Sequence, residues 1–214
     1  MSVIPLQREV YYPESDGEPM AETEVHAREM IYVFEAFEDH LETERDVYVG
    51  INMFLYYVEG NPSASVAPDV FMARGVPRGE RRTYKLWEEG RPPSLVVEVT
   101  SGSTRKSDMG SKKQIYEELG VEELVLHDPL GDYLKPQLQG YRLAFGRYQP
   151  IPLDEDGSLL SRVTGLRFRP EPDGIGLRLV DEETGRLFLT SREKTKRAAR
   201  LEAELERARR TPQS

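Results

Sequence analysis

The 214-residue chain has no cysteine. Disulfides, thiolate metal sites and cysteine nucleophiles are therefore excluded. It also has no apolar run near the roughly 20 residues that a bilayer-crossing helix needs, so no membrane association is expected. The opening stretch MSVIPLQREVYYPESDGEP has no basic region followed by an apolar one. It is not expected to act as a signal peptide, and the cytoplasm is the expected compartment. Positive charge is short as well. The formal net charge is −9, and a field of that sign does not draw in nucleic acid. A nucleic-acid partner would have to be met through local basic patches or through cations bridging to phosphate. What remains is modestly apolar (38%) and highly charged (31%). That composition suits one folded domain with a well-solvated surface and perhaps an appendage.

Hydrophobic spacing gives the order of elements. Residues 1–20 hold three prolines among polar residues and form an irregular arm. Over residues 22–42, Met30, Val33, Phe34, Phe37 and Leu41 fall on one helical face. Alternation of Val47, Val49, Ile51, Met53 and Leu55 predicts a strand, closed by Glu59-Gly60-Asn61-Pro62. A short apolar run at 66–73 leads into the loop RGVPRGERRTYKLWEEGRPP. The stretch SLVVEVT is the most strand-like in the chain. A helix is expected over 108–119, capped by Asp108 or Ser107 and stopped by Gly120. ELVLHDP is the next strand. This order indicates an α/β sandwich around a central mixed sheet. The expected division is an arm at 1–20, a core at 21–145, a β-rich appendage at 146–190 with a hairpin turn at Asp181–Gly185, and a charged helical tail at 191–214. In the tail only Leu201 and Leu205 recur at helical spacing, which is too little for a coiled coil. A frayed or oligomer-forming helix is expected there.

The chemistry gathers around SLVVEVT. Leu95, Val97 and Val99 share one face; Val96, Glu98 and Thr100 share the other. A strand this apolar has both faces covered, so Glu98 either lies at an edge or has a partner. Asp69, after Pro68, opens the preceding apolar run. Two carboxylates meeting at one sheet edge repel each other, and a hard divalent cation with oxygen ligands relieves that repulsion. The carbonyl of Val99 is a further candidate oxygen. Lys112 and Lys113 stand early on the following helix, with Tyr116 one turn beyond Lys112.

The segment EVTSGSTRKSDMGSKKQIYEELGVEELVLHDP closely resembles the signature of the Uma-type family of restriction-endonuclease-like proteins, within the PD-(D/E)XK nuclease superfamily. The matching elements are Pro68-Asp69, Glu98-Val99, Ser101 with Ser103-Thr104-Arg105, Asp108, Lys112, Tyr116, Gly120-Val121 and Asp128-Pro129. The resemblance spans roughly residues 20–145. It implies a restriction-endonuclease-like core, to which the chain adds the β appendage and the helical tail. It implies a Mg²⁺- or Mn²⁺-dependent endonuclease acting on DNA, or a catalytically silent module of the same fold for DNA binding or assembly. Asp69 and Glu98 would hold the metal, with Val99. Lys112 would be the superfamily lysine, moved from the strand to the helix, which leaves Thr100 at the strand position. An acid or histidine of the first helix often stands near the metal in such nucleases. Here His26, Glu24 and Glu29 are the candidates, with His26 equally readable as a core histidine and Glu29 expected in solvent. Asp108 would cap its helix, and Tyr116 would hydrogen-bond into the site or pack. Arg81, Arg82, Lys85, Arg105 and Lys106 are candidate DNA contacts. Tyr84 and Trp87 are candidates for base stacking, with core packing as the alternative. Pairing of two copies would suit two-strand cleavage.

Overall fold

The computed structural model of the chain describes residues 10–15, 17, 23–102, 110–172 and 174–210. Helix α1 (Glu24–His40) starts where Thr23 accepts a hydrogen bond from the His26 N–H at 3.1 Å. This N-cap satisfies one of the free amides of the first turn. Its apolar stripe of Met30, Val33 and Phe37, continued by Leu41, is fully buried.

The alternating run that follows is not one strand. Strand β1 (Val47–Ile51) stops at Asn52, whose φ of 42° lies in the left-handed region that asparagine tolerates. There the Asn52 N–H donates to the Asp69 carbonyl at 2.9 Å. A short β2 (Leu55–Tyr56) resumes in a different sheet. The run at 66–73 is divided in the same way, into β3 (Ser65–Val66) and β4 (Val70–Arg74). Pro68 lies between them and has no N–H for a ladder. The expected loop carries β5 (Tyr84–Lys85) and the one-turn α2 (Leu86–Glu89).

Strand β6 (Leu95–Val99), helix α3 (Ser111–Leu119) and strand β7 (Glu123–His127) form a parallel crossover unit. Strands β8 (Leu138–Ala144) and β9 (Arg147–Ile151) then complete a six-stranded sheet in the order β1-β4-β6-β7-β8-β9. All its other pairings are antiparallel. The β8–β9 hairpin therefore straddles residue 145, where the core was expected to end. Strands β10 (Leu159–Leu160), β11 (Leu166–Pro170) and β12 (Leu177–Asp181) make a second sheet. The turn after β12 is closed by Asp181, which accepts from the Glu183 and Thr184 amides at 2.9 Å each. Beyond it stands a single bridge, Val180 to Leu187, rather than a full hairpin arm. Helix α4 (Ser191–Arg210) ends the described chain. Strands β3, β2 and β5 form a small third sheet.

Period-two alternation divides the core. Val70, Met72, Leu95, Val97, Val99 and Val125 face α1, where Leu166, Phe168, Leu179 and Phe188 of the C-terminal region join them. Phe71, Val96, Leu124 and Leu126 face Tyr116 of α3 and Tyr84. Strands β6 and β7 are thus buried on both faces along their whole length. This is a restriction-endonuclease-like α/β arrangement, a central mixed sheet flanked by helices with a β appendage and a helical tail. Among the described residues, no helix is long and apolar enough to cross a membrane.

Candidate active site

Glu98 lies on a central strand with no exposed surface, so the edge-strand alternative is excluded. Alternation turns it toward α3, and both of its oxygens have partners there. Lys112 Nζ stands 2.9 Å from Oε2, and the Tyr116 hydroxyl donates to Oε1 at 2.5 Å. Four-residue spacing puts Lys112 and Tyr116 on one face of α3, which is how one helix grips both oxygens. An ionised carboxylate so deep in the protein is tolerable only with such partners.

Asp69 arrives by a different route. The β4–β6 ladder ends at the Val70–Val97 pair, and Asp69 is the residue just before β4. Its Oδ2 accepts from the Val99 N–H at 2.7 Å and lies 3.3 Å from His26 Nε2. His26 is 5% exposed, so one side chain serves both readings of it: a core histidine that also touches the acid. Asp69 is thus tied to the residue next to Glu98, and carboxylate oxygens with a nearby lysine are the donor type that suits a hard divalent cation. Among the described residues, no three His, Asp or Glu side chains are grouped to hold a metal ion. Two carboxylates and a backbone carbonyl would be the protein's share.

The remaining candidates divide. Arg105, Lys106, Ser107 and Asp108 lie outside the described residues; α3 begins at Ser111 with Gly110 in the N-cap position. Thr100 is buried and its hydroxyl has no hydrogen-bond partner. The basic loop is engaged with acids. Arg81 makes two bonds to Glu89, Arg82 reaches Glu14 at 2.9 Å, and Lys85 reaches Glu88 at 3.0 Å. Arg81 also stacks over Tyr48, whose ladder partner Ala73 is at the far side of β4 from Asp69. Tyr84 is a core residue rather than an exposed stacking platform. Trp87 packs against Tyr12, with ring centroids 5.2 Å apart. Asp128 of the Asp-Pro pair accepts from the Leu130, Tyr133 and Leu134 amides and so shapes the loop after β7.

Glu29 departs from expectation. Its side chain is only 14% exposed, not solvated, because β12 and the turn before it cover this part of α1. Burial pushes its carboxyl up to about 7, against an opposing hydrogen bond from the Leu177 backbone. His127 lies 3.7 Å away and is 1% exposed. Burial holds its imidazole down at about 4. Sequence reasoning passed over His127, although alternation in ELVLH puts it beside Val125 on the α1 face.

Comparison with known proteins agrees with this architecture. A family model described as "Uma2: Putative restriction endonuclease" matches residues 4–171. The crystal structure of "a putative nuclease belonging to DUF820" from Anabaena variabilis is similar with a TM-score of 0.50 and 14% identity. The match covers 68% of this chain and 76% of that one, and at such identity it speaks for the fold. No curated protein matches the chain. With more than half of its length matched by the family model, the chain belongs to the Uma2 family.

Proposed function

We propose that the protein is a divalent-metal-dependent endonuclease that hydrolyses phosphodiester bonds in DNA. The observation that carries this reading is Glu98, fully buried and held by Lys112 and Tyr116, with Asp69 accepting from the N–H of its neighbour Val99. Asp69, Glu98 and the Val99 carbonyl would hold Mg²⁺ or Mn²⁺. When bound, such an ion supplies Lewis acidity at the phosphate and makes water a better nucleophile. The protein's own groups do the rest. Tyr116 keeps Glu98 in one orientation, and the Val99 amide and His26 do the same for Asp69. Lys112 neutralises Glu98 in the resting state. Its ammonium is then at hand for the charge that develops on the phosphate oxygens. A cation that takes over Glu98 would release Lys112 for that task.

A second reading is favoured by the ion-paired basic loop and the net charge of −9. In it the fold serves as a non-cleaving module for DNA binding or assembly. Nicking of supercoiled plasmid in Mn²⁺ separates the two. Wild type should nick, and Asp69→Ala and Lys112→Ala should each lose about 10²-fold or more in rate. Identical behaviour of all three proteins would overturn the enzyme reading.

A further inference from the structure

Buried polar atoms without a hydrogen-bond partner are scarce in folded proteins, and each costs about 1–3 kcal/mol. The described residues hold five such side-chain atoms, and four come from the α1 side of the sheet: His26 Nδ1, Glu29 Oε2 and both ring nitrogens of His127, whose ring also has the Gln137 backbone as a neighbour; the fifth is Thr100 Oγ1. His26 and Glu29 stand three residues apart on α1. His127 ends β7, paired with Val99, and its carbonyl accepts from the Thr100 N–H. Val99 and Val125 belong to the core on the α1 side. His127 therefore shares that side, while Glu98 points through the other face of the sheet toward α3.

The carboxylate of Glu29 is aimed. Its Oε1 lies against Gly176, where an added Cβ would come within 2.7 Å of it, and the adjacent Leu177 amide hydrogen-bonds the group. Its Oε2 is left facing His127 Nε2 at 3.7 Å. That separation is too long for a hydrogen bond, which closes within about 3.2 Å. It is too short for a single bridging water, whose two bonds of about 2.8 Å at a tetrahedral angle hold their partners about 4.6 Å apart. Two ligands on one first-row divalent ion, each bonded at about 2.1 Å, lie about 3.4–3.7 Å apart at tetrahedral or slightly wider angles.

We propose that Glu29 Oε2 and His127 Nε2 are ligands of a divalent transition-metal ion, at a site separate from Asp69 and Glu98. An imidazole with one carboxylate suits Zn²⁺, Co²⁺ or Mn²⁺ better than Mg²⁺. Burial keeps His127 neutral at physiological pH, with a lone pair to give, and entry of the ion displaces the proton that Glu29 tends to retain. Among the described residues no third His, Asp or Glu completes the set. The other positions fall to water.

The inference stands whether or not the Asp69–Glu98 pair binds metal, and the test keeps the two apart. Metal-stripped protein is titrated with Co²⁺, followed by its visible absorption bands and by equilibrium dialysis. The Asp69→Asn/Glu98→Gln double variant should bind one Co²⁺ per chain. Adding Glu29→Gln or His127→Gln should abolish that binding. In the wild-type background, Glu29→Gln should bind one Co²⁺ fewer than the parent, which covers the case of a double variant that does not fold. Gln at 29 preserves size and the acceptor for Leu177. A folded double variant that binds no Co²⁺, or Glu29→Gln binding unchanged in either background, overturns the proposal.

Discussion

Glu29 and His127 are moved in opposite senses by the same burial, to about 7 and about 4. In the metal-free protein this makes their contributions to stability oppose each other. His127 takes up its proton near 6.5 when unfolded and only near 4 when folded. The unfolded state binds more protons in that window, so this residue makes stability rise as pH climbs from 4 to 6.5. Glu29 holds its proton up to about 7 when folded, against 4.5 when unfolded. Its contribution is present at low pH and is lost as pH climbs from 4.5 to 7. Each effect is about 3 kcal/mol across its window, and where the windows overlap they cancel. Urea unfolding in EDTA should therefore show Glu29→Gln gaining stability steadily from pH 4 to 6.5. His127→Gln should lose it from pH 4.5 to 7. Parallel profiles for the two variants would contradict this pairing.

At the scale of elements, placement depends on how helices begin and strands end. Thr23 starts α1 and so sets His26 in its first turn, within reach of Asp69. The tail has a stronger device. Thr190 donates its N–H to Glu193 at 2.9 Å and its hydroxyl faces the Glu193 amide at 3.3 Å, a capping box. Arg178 of β12 then grips Glu193, whose carboxyl is held at about 2 chiefly by that bond. Lys194 bonds Glu35 and Asp39 of α1. Past this docked turn the helix is exposed, with Leu201 and Leu205 more than half open to solvent. Thr190→Ala should cost α4 about 1 kcal/mol. Amide exchange should quicken through residues 191–198 while β6 and β7 stay protected; unchanged exchange in the helix would count against the cap.

The helical spacing of α1 and the alternation of β6 were legible in the sequence because each depends on neighbours a few residues apart. The breaks at Asn52 and Pro68 were harder to see. The hydrophobic alternation runs straight through the first, and it is the left-handed backbone of Asn52, at φ 42°, that ends the strand.

Across the whole molecule, the appendage is part of the core. Leu159, Leu166, Phe168, Leu177, Leu179 and Phe188 all pack into the cluster that covers α1. Tyr32 ties the two regions further, donating to the Phe188 carbonyl at 3.1 Å and accepting from the Leu179 amide at 2.8 Å. Six such side chains contribute on the order of 10 kcal/mol, comparable to the whole stability of an ordinary domain. A chain ending at residue 145 also lacks β9, the edge of the main sheet. It should show no cooperative thermal transition and poor dispersion of amide resonances. A sharp transition would make residues 21–145 an autonomous core. We favour the division of the chain into arm, core, appendage and tail as a description of architecture rather than of folding units.

By itself the sequence determined the local grammar. It set which residues make helix or strand, which face each presents, and that Glu98 sits in a strand too apolar to leave it unpartnered. It also carried the family, through motifs in order from Pro68-Asp69 to Asp128-Pro129. Only the tertiary structure decided which groups meet. Asp69 reaches the Val99 N–H, beside Glu98, because β4 and β6 are paired neighbours, and Glu29 meets His127 because residues 98 positions apart, on a helix and a strand, share one sheet face. It also decided that the basic loop spends its charge on acids from distant segments, such as Glu14. The physical reason is range. Propensity and periodicity act over a few residues, whereas carboxylate partners and burial depend on sheet register and packing, to which the whole chain contributes.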